Sequence, residues 1–271
     1  MRTAGIRQRR IGLGVVSTLV ALLVALPTLI VIPMSFTGEQ SFSFPPQSWS
    51  LQWYRSFFQS QAWRSSLIFS LEVACCVTVL ATVVGILIAL GLRRLPGRFA
   101  SVGQSVVLIP IIIPAIVTAI SIYEIFLRWH LSGTLLGFTL AQSTVVLPFV
   151  VLSVGVGLSR INPRLVQAAA TLGARPVGVF FRVILPLMLP AVLTAMLLAF
   201  VGSLDEPVIA LFLSTPTQMT LPVQMYDSML QVTDPTIAAA SSILLALAVF
   251  GGLIGLVLLP YLRRSRRAER A

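Results

Sequence analysis

Residues Gln167–Pro190 read QAAATLGARPVGVFFRVILPLMLP, and this stretch decides how the rest of the chain is interpreted. An alanine-rich turn, a glycine and two arginines interrupt a chain that is 57% hydrophobic and only 10% charged. Just before it, Asn162-Pro163 pairs a capping residue with a proline at the first helical position. Gly173 suits the position that ends a helix. The spacing therefore predicts a short helix over residues 164–172.

Long apolar runs lie on both sides of this segment. The mean hydropathy of the chain is +0.97, and several runs exceed the ~18 residues that separate a spanning helix from a buried one. We predict an all-α membrane protein with six transmembrane helices. The spans cover about residues 11–34, 65–92, 102–127, 136–158, 184–211 and 235–262. Pro110 and Pro114 predict a kink in the third span, and Leu185-Pro186 predicts a bend at the start of the fifth.

The basic residues indicate the orientation of these spans. All nineteen are arginines, and sixteen lie at the two termini or in the loops after the second and fourth spans. The opposite loops hold only Arg55, Arg64 and Arg128. The positive-inside rule then places both termini and residues 160–187 in the cytoplasm. The net charge of +11 is thus interpreted as a topology signal, and no nucleic-acid partner is expected.

The residue inventory argues against several functional classes. Without lysine the chain cannot carry a phosphate-binding loop of the G-x-x-x-x-G-K-[ST] kind. One histidine, His130, and the absence of H-E-x-x-H and G-x-S-x-G leave an intramembrane enzyme little equipment. A secondary transporter or channel working alone is a further alternative. It would need an inverted repeat or a paired charge path, and the sequence indicates neither.

Four acidic residues are expected in the outer half of the membrane, namely Glu72, Glu124, Asp205 and Glu206. A lipid-facing charge costs roughly 2.5–3.5 kcal/mol on insertion scales, so these side chains should face the bundle interior or a cavity. Acids without internal bases suit a cationic solute. The alternative is that each acid is protonated or hydrogen-bonded and only shapes the gate.

The residues of the opening stretch also resemble a family motif. Gln167-Ala168-Ala169, Gly173, Val183 and Leu185-Pro186 have the spacing of the EAA loop of bacterial ABC importer permeases. Glutamine replaces the usual glutamate and valine replaces isoleucine. Residues 203–230 and 48–58 are similar to permeases of spermidine/putrescine importers. The resemblance implies that Gln167, Ala168, Ala169, Gly173, Leu185 and Pro186 form a coupling helix, which in the family inserts into a cleft of a cytoplasmic ATPase.

The resemblance implies a type I ABC importer permease fold as a single domain over residues 1–271, with its core at about residues 65–260. It implies a second permease subunit, two ATPase subunits and an extracytoplasmic substrate-binding protein as partners, besides membrane lipid. ATP and magnesium would bind the ATPase, so no catalytic role, metal or cofactor is expected on this chain. The location would be a bacterial inner membrane. The solute would be a small cation such as spermidine or putrescine, with another small solute as the alternative.

Overall fold

The computed structural model describes residues 2–40, 44–231 and 235–268. These residues form helices and no β-strand, apart from two isolated β-bridges, Thr37 with Trp49 and Thr215 with Gln218. The helices in chain order are α1 (Arg2–Ser35), α2 (Gln52–Gln59), α3 (Gln61–Arg94), α4 (Gly97–Ile112), α5 (Ala115–Arg128), α6 (Leu135–Ser159), α7 (Pro163–Thr171), α8 (Pro176–Val179), α9 (Leu185–Leu204), α10 (Val208–Leu213), α11 (Leu221–Gln231) and α12 (Thr236–Ala268).

The predicted all-α membrane architecture is confirmed. Four helical stretches of the described residues are long and apolar enough to span a membrane: Gln61–Arg94, Leu135–Ser159, Pro176–Leu204 and Thr236–Gly255. Two bent pairs also qualify, Val16–Val24 with Thr28–Ser35 at 46° and Gly97–Ile112 with Ala115–Arg128 at 95°. If each bent pair is one span, the total is six.

The third predicted span is broken, not kinked. Helices α4 and α5 meet at 95°, and the expectation of one bent helix over residues 102–127 is wrong. The break lies at Ile113, whose ψ of 132° is extended, and at Pro114, which is the N-cap of α5. Proline disfavours the helical conformation in the residue before it, so the helix ends there. Pro110 stays inside α4.

The start of the fifth span also differs from the prediction. Helix α8, a π-helical turn over Phe180–Ile184 and α9 run together as one helix from Pro176 to Leu204. In the π turn the Leu185 N–H donates to the carbonyl oxygen of Phe180, five residues earlier. The bend expected at Leu185-Pro186 is therefore absent, since the wider turn carries the helix past the proline.

Contacts divide the chain into two compact units, one of which comprises residues 1–61 and 227–245. In this unit the Tyr54 hydroxyl hydrogen-bonds to the hydroxyls of Ser35 and Ser242 at 2.7 and 2.8 Å. These bonds tie α2 to α1 and to the first part of α12.

The other unit comprises residues 62–226 and 246–271. Its core is centred on the packing of α6 against α9, where Gly157 allows close approach: a Cβ at this position would overlap the side chain of Ala191. Between the same helices the buried Ser203 hydroxyl donates to Oε1 of Gln142. Both candidate functional regions lie on this unit.

Candidate functional site

The short helix predicted over residues 164–172 is confirmed as α7. Its N-terminus forms as expected: Oδ1 of Asn162 accepts the Arg164 N–H at 3.0 Å, and Pro163 occupies the first turn. This cap satisfies one of the N–H groups that the first turn of a helix leaves free. Asn162 and Pro163 therefore start α7 directly after the turn that follows α6.

The end of α7 depends on Gly173. The Gly173 N–H donates to the Ala170 carbonyl at 3.0 Å and the Ala174 N–H donates to the Ala169 carbonyl at 3.1 Å, which is a Schellman motif. Gly173 has a φ of +81°, a conformation that other residues adopt at a cost. A Cβ built at Gly173 meets nothing within 4 Å. The need for glycine is thus conformational and not steric.

The face of α7 is small and open to its surroundings. Gln167 and Ala168 are exposed and Ala169 is half-buried. Leu172, at the C-cap, is 88% exposed, although its side chain is large and apolar. A helix surface of alanine methyl groups beside a projecting leucine can pack closely into an apolar groove of another protein, because no bulky side chain holds the two surfaces apart.

The remaining predicted residues of the motif lie elsewhere. Leu185 and Pro186 are half-buried at the start of α9, and Leu185 packs against the core cluster. The structure instead adds Leu172, together with Val177 and Phe181, which are 68% and 59% exposed. The sequence signal that could have identified them is large apolar side chains between the arginines at positions 164, 175 and 182, just before the fifth predicted span.

Arg93 connects the end of α3 to the turn that precedes α7. Its two terminal nitrogens donate to the carbonyl oxygens of Leu158 at 3.0 Å and Ile161 at 3.3 Å. A cation at these carbonyls is favourable because the C-terminus of a helix carries partial negative charge. The sequence indicated Arg93 only as a topology signal, whereas the structure makes it a support for the α6–α7 connection.

The acidic residues have different environments, and Glu206 acts as a helix cap. It follows α9 instead of lying within the fifth span, because α9 ends at Leu204, and it is only 8% exposed. Its two carboxylate oxygens accept the backbone N–H groups of Val208, Ile209 and Ala210 at 3.0–3.2 Å. Burial raises the pKa of Glu206 above its ordinary value, and these three N–H donors act in the opposite direction.

Asp205 and Glu124 also differ from the expectation of unpaired acids inside spans. Asp205 is the C-cap of α9 and is exposed. Glu124 lies in α5 and forms an ion pair of 2.7 Å with Arg128, one turn along the same helix, with both side chains largely exposed. Within the part of the chain that the structure describes, no group of three or more histidine, cysteine or acidic side chains could hold a metal ion.

Glu72 lines a polar cavity of about 270 Å³. The cavity lies between the first turns of α3 and the segment from α10 to α11, and its lining includes Ser65, Ser66, Gln218 and Gln224 but no basic residue. The Leu221 N–H donates to Oγ of Ser70 at 2.7 Å and holds this segment against α3. Glu72 thus lines a cavity and makes no ion pair among the described residues.

The position of Glu72 along α3 places the cavity far from the arginine-rich end of that helix. Arg93 is 21 residues further along, which corresponds to about 32 Å of helix. This rise is close to the ~30 Å thickness of a bilayer's hydrocarbon core. Glu72 and Arg93 are therefore separated along α3 by about the thickness of that core.

Comparison with known proteins identifies the relatives of the chain. The family model for the binding-protein-dependent transport system inner membrane component matches residues 81–267. The putrescine transport system permease protein PotI of Escherichia coli K12 is 29% identical over 89% of this chain and 88% of its own length. The spermidine/putrescine transport system permease protein PotC of Haemophilus influenzae is 31% identical, over 83% and 87%. The molybdenum transport system permease protein ModB of Mycobacterium bovis is 35% identical, over 69% and 78%.

Solved structures with the same fold are also ABC transporters. A chain of a bacterial ABC transporter involved in the import of the acidic polysaccharide alginate superposes with a TM-score of 0.71 at 17% identity, over 95% of this chain and 96% of that one. A chain of the MetNI methionine ABC transporter gives 0.63 at 18% identity, over 75% and 99%. Together with the spanning helices, these matches show that the chain belongs to the binding-protein-dependent inner membrane components and is a permease subunit of an ABC importer with the type I fold.

Proposed function

We propose that this permease subunit imports a small organic cation, with a polyamine such as putrescine as the solute, and that α7 docks into a separate ATPase subunit that drives transport. The observation that carries the docking part is the surface of α7. The capped helix presents two exposed positions, Gln167 and Ala168, and a Leu172 that is 88% exposed. An apolar side chain this exposed marks a surface that a partner protein would cover.

A neutral glutamine at position 167 has a consequence for how α7 would dock. Gln167 can donate and accept hydrogen bonds but cannot form an ion pair. We infer that apolar burial of Leu172 and close approach at Ala168 and Ala169 supply the contact energy in its place. Gly173 supports this by ending the helix abruptly, so that Leu172 projects from its tip.

The cavity around Glu72 supports the choice of a cation. A single carboxylate surrounded by hydroxyl and amide groups, with no arginine in the lining, matches a protonated amine in both charge and hydrogen bonding. The names of PotI and PotC, which state putrescine and spermidine/putrescine transport, point to the same class. ModB, whose name states molybdenum transport, favours a permease for a different small solute as the second candidate.

The proposal includes the rest of the assembly. ATP and magnesium would bind two ATPase subunits, a second permease subunit would complete the pathway, and an extracytoplasmic binding protein would deliver the solute. One structural neighbour was solved with an alginate-loaded periplasmic protein, which supports a partner of that kind. Both termini and α7 would face the cytoplasm, as the sixteen-to-three distribution of arginines indicates.

The test is co-purification followed by transport. The tagged full chain is purified from its native membranes, and the ATPase that accompanies it is quantified. The reconstituted complex with its binding protein should take up labelled putrescine only with ATP. Leu172→Ser should reduce the bound ATPase, whereas Leu95→Ser, a matched change of a leucine that is 46% exposed after α3, should not. Undiminished ATPase recovery with Leu172→Ser would contradict docking through α7, and ATP-driven uptake of molybdate but not putrescine would contradict the solute.

A further inference from the structure

A second cavity, of about 610 Å³, opens between α3, α4 and α6 at the opposite end of α3 from Glu72. Most of its wall is apolar and includes Leu92 of α3 and Val151 and Val156 of α6. Its volume lies in the range of small-molecule sites, about 300–1,000 Å³. No described part of the chain fills it, and its apolar wall suits a hydrocarbon ligand.

One end of this cavity is polar and basic. Arg93, Gln104 and Ser159 line it, and none of its lining residues is acidic. Arg93 is held in place by its bonds to the carbonyl oxygens of Leu158 and Ile161. A guanidinium carries five N–H donors, so these two bonds leave others free to donate to a ligand. The end therefore offers an anion a fixed positive charge and additional hydrogen-bonding groups.

The cavity has the orientation of a lipid site. Arg93 and Ser159 stand at the ends of two spanning helices, where a helix leaves the hydrocarbon layer. From Ser159 the cavity follows α6 back to Val151, which is about 12 Å along the helix. The basic end thus lies at headgroup level and the apolar part extends into the depth of the acyl chains.

We propose that this cavity binds an anionic phospholipid, with the phosphate at Arg93 and the upper part of an acyl chain along α6. Basic pockets between spanning helices are known to accept such headgroups. A cationic solute is disfavoured by the arginine, and a free anion leaves the apolar wall without a partner. Since Arg93 also supports the α6–α7 connection, a bound lipid stabilises the arrangement from which α7 projects.

The test exploits two glycines at which an added side chain would meet no immediate obstacle. A Cβ built at Gly155, which lines the cavity, meets nothing within 4 Å, and the same holds at Gly91, which does not line it. Gly155→Phe therefore places a bulky side chain in the apolar part of the cavity while Arg93 stays intact. Gly91→Phe is the matched control, because both changes place the same side chain on a spanning helix.

The full chain, with the subunits that accompany it, is purified in mild detergent and titrated with phosphatidylglycerol or phosphatidylcholine under native mass spectrometry. Phosphatidylglycerol should bind about tenfold more tightly than phosphatidylcholine to the parent and to Gly91→Phe. Gly155→Phe should lose this preference. Equal phosphatidylglycerol binding by both variants, or no headgroup preference in the parent, would overturn the proposal.

A second arm identifies a protein occupant. Gly155→Cys is made with Cys75→Ser and Cys76→Ser, since both native cysteines are exposed. The cysteine should react with a lipid-soluble maleimide in vesicles without phosphatidylglycerol and be protected when that lipid is present. A disulfide from this position to another polypeptide would show that a subunit covers the cavity and would overturn the lipid assignment. Neither arm depends on the solute or on ATP.

Discussion

Both carboxylate oxygens of Glu206 lie 3.0 Å from the backbone nitrogen of Ile209 and accept its N–H. This relationship changes the interpretation of a residue that seemed suited to the solute path. The buried carboxylate satisfies the free N–H groups at the start of α10, including those of Val208 and Ala210, and these donors compensate for its burial. Its neighbour Asp205 makes no such bonds and is exposed.

Glu206→Gln is therefore expected to lower stability more than it alters the solute preference. The amide keeps one acceptor but points an NH2 group at backbone donors, and loss of a cap costs about 1–2 kcal/mol. Thermal unfolding in detergent should show a lower Tm for Glu206→Gln and an unchanged one for Asp205→Asn. An unchanged Tm for both, with a changed solute preference for Glu206→Gln, would assign Glu206 to the solute path instead.

Glu72→Gln is expected to weaken putrescine uptake about tenfold or more, since the change removes the charge of the cavity and keeps its shape. Glu124→Gln, which breaks only an exposed ion pair of small value, should transport like the parent. The measurement is the apparent KM for ATP-driven uptake in vesicles, with basal ATP hydrolysis as the control for assembly. Equal KM values for the two variants would exclude Glu72 from cation recognition.

Gly173 offers a test of conformation without steric interference. Gly173→Val forces a β-branched residue into a φ of +81° and should destabilise the end of α7 by about 1–2 kcal/mol. Gly173→Asn should be tolerated, because asparagine adopts this region more readily. ATPase co-purification and solute-stimulated hydrolysis should fall for valine and persist for asparagine. Equal loss for both substitutions would mean that the surface itself needs a bare backbone.

Topology can be measured with single cysteines in a Cys75→Ser, Cys76→Ser background, because both native cysteines are exposed. A membrane-impermeant thiol reagent should label Gly97→Cys and Thr171→Cys from the cytoplasmic side only. It should label Gln61→Cys from the outer side only. The three positions follow from the arginine distribution and from the length of α3. Labelling of Thr171→Cys in intact cells would reverse the orientation.

The amino-acid sequence by itself determined the membrane class, the approximate positions of the apolar segments and the position of α7. These features depend on local properties: the lengths of apolar runs, the capping of α7 by Asn162 and the conformational need for Gly173. The EAA-like spacing of Gln167, Ala168, Ala169 and Gly173 also predicted the family, and the match to the family model confirms it.

Only the tertiary structure decided the surroundings of each acidic residue and each arginine. Residues 72, 124 and 206 are all acidic, yet one lines a cavity, one pairs with Arg128 and one caps α10. Arg93, which the sequence marks only as a topology signal, bonds to Leu158 and Ile161, which are more than sixty residues away. Hydropathy and charge counting describe each residue alone, whereas burial, pairing and cavity shape arise from distant segments brought together by helix packing.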